Sequence, residues 1–196
     1  IYYFASDNLK FQRLEKQFKE KKQWIENVPK LKTIEQIFKE RGSYTILDKI
    51  KGKAMIGWEY IGPFDDLEAQ SYYGGYPFKN DFLEEKKVNA ISCHRVIDGG
   101  KDSLGNDVVL SGEGTGIVHI ATGCGAIDNK IGKKLDFVEL APLNDESHYI
   151  DGFGWLTGKK ATDPNTTNEI ISNLKERDFL FHVEQYPHVY PHCWRS

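Results

Sequence analysis

Apolar residues in this chain come in short runs, and most runs stop at glycine, proline or an Asp/Asn turn. Asp98-Gly99-Gly100 and Leu104-Gly105-Asn106-Asp107 are turn chemistry, and they leave 108–110 as a short strand between them. Further strands are predicted over 44–50, 88–97, 117–121, 137–140 (ended by Pro142) and 179–183, with strand and long loops over 51–75. Helical spacing appears in four places. Phe11, Leu14 and Phe18 form the first set, and Leu31, Ile34 and Phe38 the second, with Val28-Pro29 between them and Gly42 as a stop. Ile127, Ile131 and Leu135 predict a short helix starting near Asp128. Thr166 and Glu169 have capping-box spacing ahead of Ile170, Ile171 and Leu174, with the helix ending at Arg177-Asp178. Many short strands with few helices predict an α+β fold: a curved or barrel-like mixed β-sheet with a few flanking helices.

At 196 residues the chain can bury a substantial core, and residues 1–196 read as a single domain. No apolar run approaches the ~18–20 residues of a membrane span, and no signal peptide is seen. The chain begins at Ile1 and stops at Arg195-Ser196 without a turn or tail, which reads as a piece of something longer. Cys93, Cys124 and Cys193 are odd in number and far apart, which argues for a reducing compartment rather than a disulfide framework. Net charge is -3, but residues 10–41 hold ten Lys/Arg against five Asp/Glu, so that flank is +5 and the remainder -8. Such a flank can touch phosphates or can simply be the solvated face of helices.

The residues able to carry chemistry cluster after residue 113. Glycines in Gly114-Thr115-Gly116 let a ligand approach the backbone, where free N–H groups can hold an oxyanion or a ribose; an ordinary hairpin or bulge fits too. His119 follows in Ile-Val-His-Ile-Ala, on the opposite strand face from Val118 and Ile120. It can position water or stabilise charge, or can be a structural histidine. Asp128, nine residues on, can anchor an ammonium or can cap its helix. Cys124 between two glycines reads better as a packing residue than as a nucleophile. His182, His188, His192 and Cys193 fit no familiar zinc spacing, so no metal site is expected.

Four segments occur here in an order found in one enzyme family. They are Gly57-Trp58-Glu59-Tyr60-Ile61-Gly62-Pro63-Phe64-Asp65-Asp66-Leu67, His94-Arg95-Val96-Ile97, Glu113-Gly114-Thr115-Gly116-Ile117-Val118-His119 and Tyr190-Pro191-His192-Cys193-Trp194-Arg195. From about Tyr44 onward the chain resembles the editing domain, or connective peptide 1, of isoleucyl-tRNA synthetases. Residues 190–196 resemble the return linker to the catalytic domain. The Gly-Thr-Gly motif is shared with valyl and leucyl enzymes, while the ending favours the isoleucyl branch.

The resemblance implies a cytoplasmic aminoacyl-tRNA synthetase, a ligase, whose editing domain hydrolyses mischarged valyl-tRNA(Ile), with valyl-adenylate as a second candidate substrate. Isoleucine and valine differ by one methylene. An apolar pocket separates them by only about 1–3 kcal/mol, and isoleucyl enzymes are themselves the standard illustration of that limit. By the resemblance His119 lines a second, smaller pocket and Asp128 holds the α-ammonium. Gly114, Thr115 and Gly116 contact the terminal adenosine. Partners would be the tRNA(Ile) acceptor end, the valine moiety and the parent's catalytic domain. Editing would need no cofactor; ATP and Mg belong to that separate domain. The family's Thr-rich strand (Trp-Thr-Thr-Thr-Pro-Trp-Thr), which precedes the counterpart of Ile1-Tyr2-Tyr3-Phe4-Ala5, is not in this sequence. Thr122 stands where proline is usual, and Ile127 where an acid is common. Two rival readings follow: a tRNA-docking module without hydrolysis, and a valyl-type domain that edits threonine.

Overall fold

The computed structural model describes residues 1–11, 31–101, 105–109 and 115–186. The chain divides into two compact units. The first comprises Ile1–Lys49, Val109–Val118 and His182–Ser196, and the second Ile50–Val108 and His119–Phe181. Most of the expected Phe11/Leu14/Phe18 helix, Val28-Pro29, Gly114, part of the 108–110 strand, and the 190–196 linker lie outside the described residues.

In the first unit, α1 spans Ile34–Glu40. It starts at a capping box: the Gln36 N–H donates to the Thr33 hydroxyl, and the Thr33 N–H donates to Gln36 Oε1. Gly42, at φ +118°, stops it as expected. Ile37 and Phe38 are its buried residues, Leu31 just before it is buried too, and the Phe38 ring meets those of Tyr2, Phe4 and Tyr44. Among the described residues, part of the basic flank is paired locally here. Lys10 and Lys39 face Glu35, and Lys32 faces Glu40. A hydrogen bond from the Tyr44 hydroxyl, with smaller help from those lysines, holds the Glu35 carboxyl below its usual range against the pull of desolvation.

The second unit contains α2 (Asp81–Glu85), α3 (Ala126–Lys134) and α4 (Pro164–Glu176). Leu67, Ala69, Phe153 and Leu156 form one buried cluster, with Tyr72, Tyr76, Tyr149 and Ile170 packed against it. Leu83, Ala90 and Val138 form another. Tyr76–Pro77 is a cis peptide. The start of α4 corrects the expected capping box. Asp163 is the cap, accepting from the Asn165 N–H, and Pro164 fills the first turn, where its missing N–H costs nothing. Thr166 is instead buried inside that turn. Asp163→Ala should lower the unfolding free energy by about 1 kcal/mol, as measured by chemical denaturation.

The expected curved or barrel-like β-sheet is absent among the described residues. Pairing is confined to isolated bridges: Glu59–Arg95, Tyr76–Leu140, Lys101–Asp107, Leu143–Tyr149 and His148–Lys160. The backbone groups of the predicted strands go elsewhere. Within 88–97, the Asn89 and Ser92 side chains each accept the other's backbone N–H, which folds Ile91–Cys93 into a 3-10 turn. Within 179–183, the N–H groups of Phe179 and Leu180 donate to Leu174 O and close the end of α4. Residues 44–50 make no bridge, and Ile46 and Leu47 are exposed. Apolar alternation marks which residues suit a strand, but a ladder also needs a partner backbone in register. No described helix is long and apolar enough to cross a membrane.

Candidate functional site

Ala121 is the hub around which the candidate site is built. Its carbonyl accepts from the N–H groups of Cys124 and Gly125, which curls residues 121–125 into a tight turn ahead of α3. Its own N–H donates to Asp128 Oδ2 at 3.0 Å. Asp128 lies in the first turn of α3, at the end of the helix that attracts negative charge. The capping alternative does not describe it. The cap position is Gly125, with no side-chain hydrogen bond, and Asp128 reaches back to the preceding segment. Asp128 Oδ1 has no hydrogen-bond partner among the described residues, so half of a partly buried carboxylate is available to a ligand.

His119 precedes Ala121 by two residues, so the Asp128 clamp also fixes the backbone that carries the imidazole. His119 is exposed. The alternation expected around it is not realised, because Val118 is 52% exposed rather than turned into a core.

The turn rests on the 138–141 segment through contacts the sequence did not disclose. The Thr122 hydroxyl donates to Val138 O at 2.7 Å, a bond the usual proline could not make. Asn129 Nδ2 donates to Thr122 O at 2.9 Å and to Glu139 Oε2 at 2.8 Å. A Cβ on Gly123 would lie 2.0 Å from Leu140 O, so glycine is required there by close approach alone. Spaced glycines were the one sequence signal available for this; Asn129 and Glu139 had none.

Thr115 and Gly116 belong to the first unit, His119 and Asp128 to the second. Thr115 is occupied locally. Its hydroxyl donates to Ile117 O and accepts from the Ile117 N–H, and its carbonyl accepts from Ala5 N–H at 2.7 Å. Gly116 has φ +75°, and a Cβ there would meet Ala5 Cβ at 2.6 Å. Gly114 lies outside the described residues.

The two other described sequence motifs meet each other in the second unit. Tyr60 N–H donates to His94 O and Val96 N–H to Trp58 O. The His94 ring stacks on Tyr60 at 5.0 Å, and its Nδ1 stands 3.2 Å from Asp65 Oδ1, off the hydrogen-bonding direction. A Cβ on Gly62 would lie 2.5 Å from Asp65 Oδ1 and 2.9 Å from the His94 ring. A larger residue at Gly62 would displace the Asp65 carboxylate or the His94 ring from this arrangement. Burial raises the Cys93 thiol, which disfavours a thiolate there, while Cys124 is exposed. His182 faces Glu184 at 3.4 Å; His188, His192 and Cys193 lie outside the described residues. Among the described residues no three His, Cys, Asp or Glu side chains group as a metal site.

Comparison with known proteins gives a consistent set of relatives. The chain is 37% identical over 153 residues to the isoleucine–tRNA ligase of Sulfolobus acidocaldarius, and 35% identical over 154 residues to that of Methanocaldococcus jannaschii. Each match covers 78% of this chain and 12% of the relative. A third, from Aquifex pyrophilus, is 32% identical over 165 residues, 83% of this chain and 27% of the relative. The chain thus spans only a small part of the length of its relatives. No family model and no solved structure matches it.

Proposed function

Because this chain is homologous to a segment of isoleucine–tRNA ligases, we propose that it is their editing module, hydrolysing the ester that joins valine wrongly to tRNA(Ile). The observation that carries the reading is Asp128, one carboxylate oxygen fixed by Ala121 N–H and the other without a hydrogen-bond partner among the described residues. An anchored carboxylate at a helix start suits an α-ammonium, which it binds by a charge-assisted hydrogen bond. Water oriented by the exposed His119 attacks the ester carbonyl carbon. The bond from that carbon to the ribose oxygen breaks, the ribose oxygen takes the proton, and valine leaves. No covalent intermediate or cofactor enters this step. The synthetic reaction, with ATP and Mg, is assigned to a separate catalytic part of the parent ligase, and the tRNA acceptor end is the partner.

The test is hydrolysis of valyl-tRNA(Ile) by this chain, beside a form lengthened at its N-terminus to include the Thr-rich strand, with isoleucyl-tRNA(Ile) as control. The lengthened form should deacylate valyl-tRNA and spare isoleucyl-tRNA. Binding of tRNA with no hydrolysis by either form would replace this reading with acceptor-end docking. Faster removal of threonine than of valine would replace it with a valyl-type specificity.

A further inference from the structure

A cavity of about 230 Å³ opens in the second unit beside α3, and Asp128 is not among the residues that line it. Asn129 and Lys133, one turn apart, line it from the helix. Phe78, Leu83 and Phe137 supply an apolar lining, and Glu139 adds a carboxylate. The charges are the informative part. Glu139 is partly buried and accepts from Asn129, yet no cation lies within ion-pair distance of it among the described residues. Lys133 likewise has no carboxylate partner there. Lys79, also on the lining, is already paired with Glu84. The cavity thus presents one anion and one exposed cation without an ion-pair partner among the described residues, beside the side chains of Phe78, Leu83 and Phe137.

We propose that this cavity binds a free α-amino acid with an aliphatic side chain, its ammonium on Glu139, its carboxylate on Lys133 and its side chain among Phe78, Leu83 and Phe137. A simple anion would face Glu139, and a simple cation would face Lys133. A zwitterion satisfies both at once. Size agrees, because pockets for larger organic ligands run from about 300 to 1,000 Å³, above the volume here. The inference does not rest on the editing reading, since it involves neither Asp128 nor hydrolysis, although Thr122, Asn129 and Glu139 also brace the 121–125 turn.

The probe is L-valine, titrated into this chain and followed by amide NMR shifts. Saturable binding in the millimolar range should perturb residues around Phe78 and Leu83 and along 129–139. Isovalerate, lacking the ammonium, and isobutylamine, lacking the carboxylate, should each bind about tenfold more weakly or worse. Lys133→Met and Glu139→Gln should each weaken valine by about tenfold as well. Both should stay folded, because Lys133 is exposed and glutamine keeps an acceptor for Asn129. No saturable shift at tens of millimolar would overturn the proposal. Equal binding of isovalerate or isobutylamine would also overturn it, as would valine binding that both variants leave unchanged.

Discussion

Asp128→Ala in the full-length ligase is expected to cut deacylation of valyl-tRNA(Ile) by about ten- to a hundredfold, while isoleucine charging stays near its normal rate. The size follows from removing one hydrogen bond to a charged group, about 1.5–3 kcal/mol, at roughly 1.4 kcal/mol per tenfold. Asp128 does two things in the structure, and alanine removes both. It accepts from Ala121 N–H, and it offers Oδ1 outward. Asp128→Asn separates them, since an amide oxygen still accepts from Ala121 while the negative charge is gone. If the charge holds the ammonium, the asparagine form should be nearly as inactive as the alanine form. If asparagine keeps most of the activity, Asp128 acts by holding the 121–125 turn, and the anchoring role is lost. Steady-state deacylation of all three forms decides this.

What could be read from the sequence follows from how local each signal is. The helix carrying Asp128 was legible. Gly123-Cys124-Gly125 breaks the preceding segment, and the helical spacing that follows requires no distant partner. The stops of α1 and α4 were legible for the same reason: Gly42 and Asp178 take the positive φ that ends a helix. The start of α4 was misplaced because Thr166 and Glu169 match a capping box, yet Asp163-Pro164 is the stronger local signal. The sheet was not legible, and it does not form among the described residues. A strand is specified by what lies beside it, and in 88–97 the Asn89–Ser92 exchange outcompetes a ladder from within the run itself. The hub at Ala121 was hidden because it works through backbone atoms, which every residue has.

Gly123→Ala should be the most destabilising single change at the site, and its cause is not backbone strain. Gly123 is not among the positive-φ glycines, so alanine's backbone preference is satisfied there. The obstacle is Leu140. The new Cβ would stand 2.0 Å from its carbonyl oxygen, 2.4 Å from its carbonyl carbon and 2.8 Å from Ala141 N. Those atoms are backbone and cannot rotate away as a side chain would. Relief requires the 122–125 turn to lift off the 138–141 segment, which breaks the Thr122–Val138 hydrogen bond as well. Overpacking of this kind costs about 3 kcal/mol. At roughly 2–4 °C per kcal/mol for a chain of this size, Tm should fall on the order of 6–12 °C. Gly125→Ala is the control that isolates the site from the fold. The three atoms nearest its Cβ would all belong to the Asp128 side chain, the first of them Oδ2 at 3.1 Å, and that carboxylate can move. That variant should unfold within a few degrees of the parent yet lose deacylation, because the carboxylate is pushed off Ala121. A Gly125→Ala protein that is stable and fully active would mean that the Ala121–Asp128 bond does not set the site's geometry.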